Sequence, residues 1–420
     1  MIELVEKRNT SLRYAPEAVD LFDKLLSRIG PESDTVARQR RMAELVLRMA
    51  TEEKRFLQKL IDGFLIHMRE LDASDIEIGG SSCQQSVWLR IQGHKMARPE
   101  MGRWSCDQSD ILVLSLLSAQ QIERLVEHRV MDFSYEKVLE GKSVRWRASA
   151  YYDMAHLALN MRAIAATVYP YNKLGIPAPI SRSLSLAHEK QGLILLTGIT
   201  GSGKSTTMDS IIDANNQTVD GHIVIIGDPI EYIHTSKKCI IRHREVGRDV
   251  LSFKDGAVQA LRQDPDIIVV GEMRDPDTIK TCLEIVDTGH KVFSTLHTGS
   301  AVETIDRIVA ECQVEEQDRI RNRLADVLRI IVSQKLIPGT DGKLVLAKEI
   351  LLVTSAVKAA IRNKNTHEIY QMISEGGKQG MITLEQDLQR LLSARVITEG
   401  DAFDYANNKR RMQELIYQRM

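Results

Sequence analysis

Gly198-Ile199-Thr200-Gly201-Ser202-Gly203-Lys204-Ser205 fits the pattern G-x-x-x-x-G-K-S. Glycines at 198, 201 and 203 let the backbone curl until successive N–H groups point at one phosphate chain. Lys204 then reaches the β- and γ-phosphates, Ser205 offers a hydroxyl to Mg²⁺, and the helix that Ser205 opens presents its positive dipole end to the anion. Thr200, Ser202 and Thr206 complete the candidate nucleotide contacts. An eight-residue pattern arises by chance, but this one has the flanks it requires: an apolar strand, Gly192–Thr197, before it and a helical composition, Ser205–Asn215, after it.

Further apolar strands at Ile223–Ile226, Ile267–Val270 and Lys291–Ser294 alternate with helical stretches, the mark of a parallel sheet wrapped by helices. Ligands of such sheets bind where the strands end. The run I-I-V-V-G-E ends on Glu272, a carboxylate placed to hold the metal and its water, the plainer reading being a surface acid at a strand exit. Asp266, Arg274 and Asp275 make that exit unusually charged. H-I-V-I-I runs into G-D-P-I-E-Y-I-H, bringing Asp228 and Glu231 to the same edge. General-base work needs a carboxylate one hydrogen bond from the attacking water; Glu231 is preferred to Asp228, and the alternative is that both brace the loop. His290 and His297 flank the Lys291 strand, and both are expected on the γ-phosphate side, although a histidine beside a strand is often only structural.

Working outward, residues from Pro16 to Glu70 place apolar side chains at helical spacing, as in F-L-Q-K-L-I-D-G-F-L, with turn residues at Gly30–Asp34 between helices. A solvated helical hairpin is the expectation there. Short β-type runs fill Ser74–Ala166, and Leu174-Gly175-Ile176-Pro177-Ala178-Pro179 reads as a linker that its prolines keep irregular. The expected organisation is a helical extension (1–69), a small α/β domain (70–172), a linker (173–182), a phosphate-loop core (183–337), and a C-terminal strand pair with helices (338–420). Lys plus Arg total 56 against 57 Asp plus Glu, a net charge of −1 that gives no reason to expect nucleic acid. No apolar run approaches the roughly 18 residues of a membrane span. The N-terminus has no secretory pattern, so a cytoplasmic protein is expected. Cys83, Cys106, Cys239, Cys282 and Cys312 form no C-x-x-C pair, which leaves disulfides and structural zinc unsupported.

Taken together, these residues resemble the hexameric secretion ATPases of type II secretion and type IV pilus systems, most closely the PilT-type retraction ATPases. The resemblance spans roughly residues 70–395: a Walker A loop at 198–205, the aspartate box G-D-P-I-E-Y-I-H, the Walker B stretch D-P-D-I-I-V-V-G-E-M-R-D and the histidine box D-T-G-H-K-V-F-S-T-L-H-T. It implies a RecA-like P-loop core behind a PAS-like N-terminal domain. It also implies ATP and Mg²⁺ as cofactors, Glu231 as the catalytic carboxylate, Glu272 as the Walker B acid, Asp228 at the nucleotide, and His290 and His297 as reporters of nucleotide state. Arginines of the N-terminal domain reach the nucleotide in that family. By resemblance they fall on Arg147 and Arg162, with Arg145 an alternative in R-W-R. A homo-hexamer on the cytoplasmic face of the inner membrane follows, acting on a pilus platform protein and accompanied in some systems by a paralogous pilus ATPase.

Two departures stand out. Gly227 sits where the family usually carries an additional acid before Asp-Pro, and the retraction hallmark A-I-R-N-L-I-R-E survives only in part at 356–363, A-V-K-A-A-I-R-N. The four-cysteine module of assembly ATPases is missing, since only Cys312 lies in that interval, which favours retraction over extension. A secretion, extension or conjugation ATPase stays open, as does a non-hydrolysing accessory subunit.

Overall fold

The computed structural model describes residues 15–29, 35–91, 93–139, 142–164 and 167–417. The chain divides into two compact units, Met1–Ala166 and Thr167–Met420.

In the first unit, helices Ala15–Leu26, Thr35–Leu47 and Thr51–Glu70 precede a six-stranded sheet. Its strands are β1 (Ala73–Gly79), β2 (Ser86–Ile91), β3 (His94–Arg103), β4 (Val130–Leu139), β5 (Lys142–Asp153) and β6 (His156–Ala163), in the order β3-β2-β1-β6-β5-β4. Each neighbouring pair is antiparallel. Helix Cys106–Ser115 starts at a capping box in which Ser105 Oγ accepts from Gln108 N–H at 3.2 Å and Gln108 Oε1 accepts from Ser105 N–H at 2.9 Å. The leading helices do not form the solvated hairpin expected from their sequence. Leu57, Ile61, Leu65 and Met68 recur at helical spacing and are buried in one core with Ile76, Leu89, Trp146 and Met161 of the sheet. Trp104 meets Phe22 and Phe64 edge-on, at 5.9 and 5.7 Å between centroids. Each such side chain gains about 1.5–3 kcal/mol by burial, so the apolar stripe joins the sheet rather than facing water. The turn read at Gly30–Asp34 and the N-terminal decapeptide lie outside the described residues.

The second unit is a doubly covered sheet. Its strands are β7 (Gly192–Thr197), β8 (Gly221–Gly227), β9 (Cys239–Glu245), β10 (Ile267–Val270), β11 (Lys291–Leu296), β12 (Leu328–Pro338) and β13 (Leu344–Leu352), ordered β13-β12-β7-β11-β10-β8-β9. All pairs are parallel except β12 with β13. Strand β7 shows why the central strands are apolar throughout: Leu193 and Leu195 enter the core under one helical layer, Ile194 and Leu196 that under the other. This is the expected RecA-like core.

The linker expected at 173–182 belongs to this unit instead. Leu174 and Ile180 are buried, and Ala178–Leu184 is a helix with Pro179 in its first turn, where a missing N–H costs no intrahelical bond. Nor do residues 338–420 stand apart: β13 completes the same sheet, and helices Leu384–Ser393, Glu399–Tyr405 and Lys409–Tyr417 pack over Ile337 and Ala347. Among the described residues no helix is long and apolar enough to cross a membrane.

Candidate active site

Parallel register brings four strand ends to one edge of the sheet. Val270 pairs with Ile226 and Ser294, and Leu296 pairs with Thr197. The segments that leave β7, β8, β10 and β11 therefore carry Gly198, Asp228, Glu272 and His297 out on the same side.

The loop after β7 has the backbone its glycines predict. Gly198, Gly201 and Gly203 hold φ of +147°, +80° and +88°, and Gly203 caps the helix Lys204–Thr218. A Cβ at Gly198 would stand 2.3 Å from Ser202 Oγ and 2.5 Å from Gln334 O, so the loop is pressed against β12. Ser202 is buried, while Thr200, Ser205 and Thr206 are exposed along the loop and first helical turn. Lys204 is only 8% exposed; its Nζ donates to Gly198 O at 2.7 Å and Ile199 O at 3.1 Å. Burial lowers its pKa, against the pull of the Glu272 and Glu231 charges, so both carboxylates stand within electrostatic reach of the ammonium.

Glu272 is half-buried and oriented on two sides, Oε1 3.4 Å from His297 Nε2 and Oε2 2.8 Å from Arg274 Nε. Its approach is fixed by Ser294 and Thr295, whose hydroxyls donate to Val270 O and Gly271 O at 2.7 Å. His297 Nδ1 lies 3.5 Å from Lys204 Nζ. Lysine has no acceptor, so Nδ1 carries the lone pair and Nε2–H faces Glu272. Burial first, and then the Lys204 charge, depress the His297 pKa, which keeps the ring neutral. After β8, Asp228 is exposed and Glu231 half-buried, and the loop between them is braced where Glu245 Oε2 accepts from Ile230 N–H at 3.2 Å. Hard oxygen donors from Ser205 and Glu272 beside a buried lysine suit Mg²⁺.

His290 does not join this group. It precedes β11 at the opposite end of the strand, where its carbonyl accepts from Gly192 N–H at 3.3 Å. Six residues of extended chain put it about 20 Å from the edge that carries His297. The expectation that both histidines face the γ-phosphate is therefore corrected: a residue before a parallel strand and a residue after it cannot share an end. Arg147 and Arg162 belong to the first unit, opposite each other across β5 and β6. Both are exposed, with Arg162 Nε 2.8 Å from Asp75 Oδ1, whereas Arg145 is buried.

Contacts that the sequence reading passed over complete the second unit's site. Gln334 Nε2 donates to Thr207 Oγ1 at 2.8 Å, backing the phosphate loop from β12, and Arg307 Nη1 donates to His297 O at 3.0 Å. The polar run Ser333-Gln334-Lys335 between the apolar stretches Ile330–Val332 and Leu336–Ile337 was the available signal.

Residues 50–376 match the family described as Type II/IV secretion system protein. The chain belongs to that family. It is 39% identical over 299 residues to the type IV pilus retraction ATPase PilT of Pseudomonas aeruginosa, covering 71% of this chain and 85% of the relative. It is 36% identical over 325 residues to a twitching motility protein of Neisseria gonorrhoeae, covering 77% and 85%. Among solved structures, that of the pilus retraction motor PilT with bound ADP superposes with a TM-score of 0.74 at 37% identity, over 84% of this chain and 98% of that one. Of these relatives, the Pseudomonas aeruginosa protein is named an ATPase and the solved retraction motor holds ADP.

Proposed function

We propose that this protein is the ATP-hydrolysing motor of a type IV pilus retraction system, working as a cytoplasmic homo-hexamer on an inner-membrane platform protein. The observation that carries the reading is the convergence of Lys204, Glu231, Glu272 and His297 on one sheet edge of a chain similar to retraction ATPases.

In this reading the loop amides and Lys204 hold the phosphates of ATP, and Glu231 takes the proton of the attacking water. Ser205 and Glu272 would hold Mg²⁺, which when bound neutralises charge developing on the transferred phosphoryl group. His297, neutral and with Nε2 3.4 Å from Glu272 Oε1, helps to orient that carboxylate. Arg147 and Arg162 enter on the family resemblance alone.

A second reading, a non-hydrolysing accessory subunit, draws on Gly227, where the carboxylate usual before Asp-Pro is replaced by hydrogen. One assay separates the two. Purified protein is expected to hydrolyse ATP in the presence of Mg²⁺, with Lys204→Ala and Glu231→Ala each abolishing turnover. A wild-type protein that binds ATP without turnover would instead support the accessory role. Cells lacking the gene are expected to extend pili without retracting them, and normal retraction in such cells would refute the pilus assignment.

A further inference from the structure

The loop that carries Asp228 and Glu231 is fastened along one face of the helix that follows the phosphate loop. Asp209, Asp213 and Asn216 lie four and three residues apart on helix Lys204–Thr218, so they share that face. Asp209 Oδ1 accepts from His234 Nε2–H at 3.0 Å, and Asp213 Oδ1 accepts from Lys237 Nζ at 2.7 Å. Asn216 Oδ1 accepts from Lys237 N–H and Asn216 Nδ2 donates to Thr235 O, both at 2.9 Å. From the other side His243 on β9 closes the loop, its Nε2 accepting from His234 N–H at 3.0 Å, with the two rings stacked at 6.0 Å.

The Asp209–His234 contact differs from the others in its burial. The His234 side chain is 1% exposed, and its Nδ1 is buried with no hydrogen-bond partner. A hydrogen on Nε2 is the arrangement that gives Asp209 a donor. Asp209 lies five residues after Lys204, and His234 lies three after Glu231. Besides burial, the charge of Glu231 pushes the Asp209 pKa up, and the same charge acts on Lys204, so these groups share one electrostatic neighbourhood.

We infer that Asp209 and His234 are positioning residues for Glu231. The pair holds the loop bearing that carboxylate in register with the helix whose first turn and Lys204 grip the phosphates. The inference rests on Glu231 being the general base of the proposed hydrolysis. Without the pair, nucleotide still binds the phosphate loop, but Glu231 drifts from the attacking water, and a misplacement of about 1 Å costs on the order of 100-fold in rate.

The test is steady-state ATP hydrolysis by the full-length protein, together with fluorescent ADP-analogue binding and thermal melting. Asp209→Ala is expected to lower kcat by about 10- to 100-fold while leaving KM for ATP within about twofold. Asp209→Asn keeps an oxygen to accept from His234 and is expected to recover most of that loss. Unchanged kcat in Asp209→Ala overturns the inference, as does loss of ADP-analogue binding in step with turnover, which would mark a residue needed only for folding the site. An Asp209→Asn protein as slow as Asp209→Ala overturns it too. Failure of the motor reading looks different: the wild type would be inert, or Glu231→Ala would stay active.

Discussion

Oε1 of Glu272 lies 3.4 Å from Nε2 of His297, which itself stands with Nδ1 3.5 Å from Nζ of Lys204. The imidazole thus bridges Lys204 and Glu272, and Nδ1 can face the ammonium as an acceptor only while the ring is neutral. Its pKa is depressed below 6.5 by burial and by Lys204, so it stays neutral at pH 7 and gains a proton only as pH falls through that lowered value. Turnover should fall on the acid side for this reason, and His297→Gln should lose roughly 10- to 100-fold in kcat while flattening that limb. A pH–rate profile of both proteins checks the pairing; acid limbs of identical shape would refute it.

Gly198 and Gly201 both have positive φ, but they do not face the same surroundings. A methyl group at Gly198 would strike Ser202 Oγ and the backbone oxygen of Gln334, which cannot swing away, whereas nothing lies within 4 Å of one at Gly201. Gly198→Ala should therefore weaken ATP binding by more than about tenfold, or roughly 1.4 kcal/mol. Gly201→Ala pays only the left-handed backbone penalty of about 1–2 kcal/mol in stability. Equilibrium binding and melting curves of the two variants separate the effects.

Gly227 allows a gain-of-function test. A Cβ there would meet Ile230 Cδ1 at 2.7 Å, the far end of a flexible side chain that can rotate aside. Gly227→Glu restores a carboxylate at the end of β8 and is expected to raise Mg²⁺-dependent kcat by about three- to tenfold. A variant no faster than wild type would show that Gly227 does not limit turnover.

Much of this site was readable because it is local in sequence. The loop after β7 declares itself by its glycines, and Glu231 and Glu272 by the apolar strands that run into the segments carrying them. His290 was misplaced because proximity to a strand was read without its direction, which the parallel register with Gly192 settles. The helices before residue 70 showed their apolar stripe plainly, but a stripe does not name its partner, and Trp104 and the sheet proved to be that partner. Pro177 and Pro179 suggested a linker, although a proline in a first helical turn is harmless. The Asp209–His234 bond joins residues 25 positions apart, a contact that only the folded chain reveals.

Glu349 supplies a stability prediction away from the phosphate loop. On β13 it is 3% exposed, with Oε1 accepting from Ala301 N–H at 2.8 Å at the start of the helix that follows His297. Burial raises its pKa to about 7, with Glu385 adding to the rise and Lys335 opposing it. A carboxyl held above its unfolded value of 4.5 binds its proton more tightly in the folded state. Its contribution is complete below pH 4.5 and is lost as pH rises to 7 and beyond. The interval corresponds to on the order of 3 kcal/mol. Melting temperature should consequently drop by about 5–10 °C across that range. Glu349→Gln cannot ionise yet keeps an oxygen for Ala301, so its melting temperature should lose that part of the slope. Parallel melting curves for variant and wild type between pH 4.5 and 7.5 would mean that Glu349 is already ionised in the fold, with Lys335 outweighing the cost of burying it.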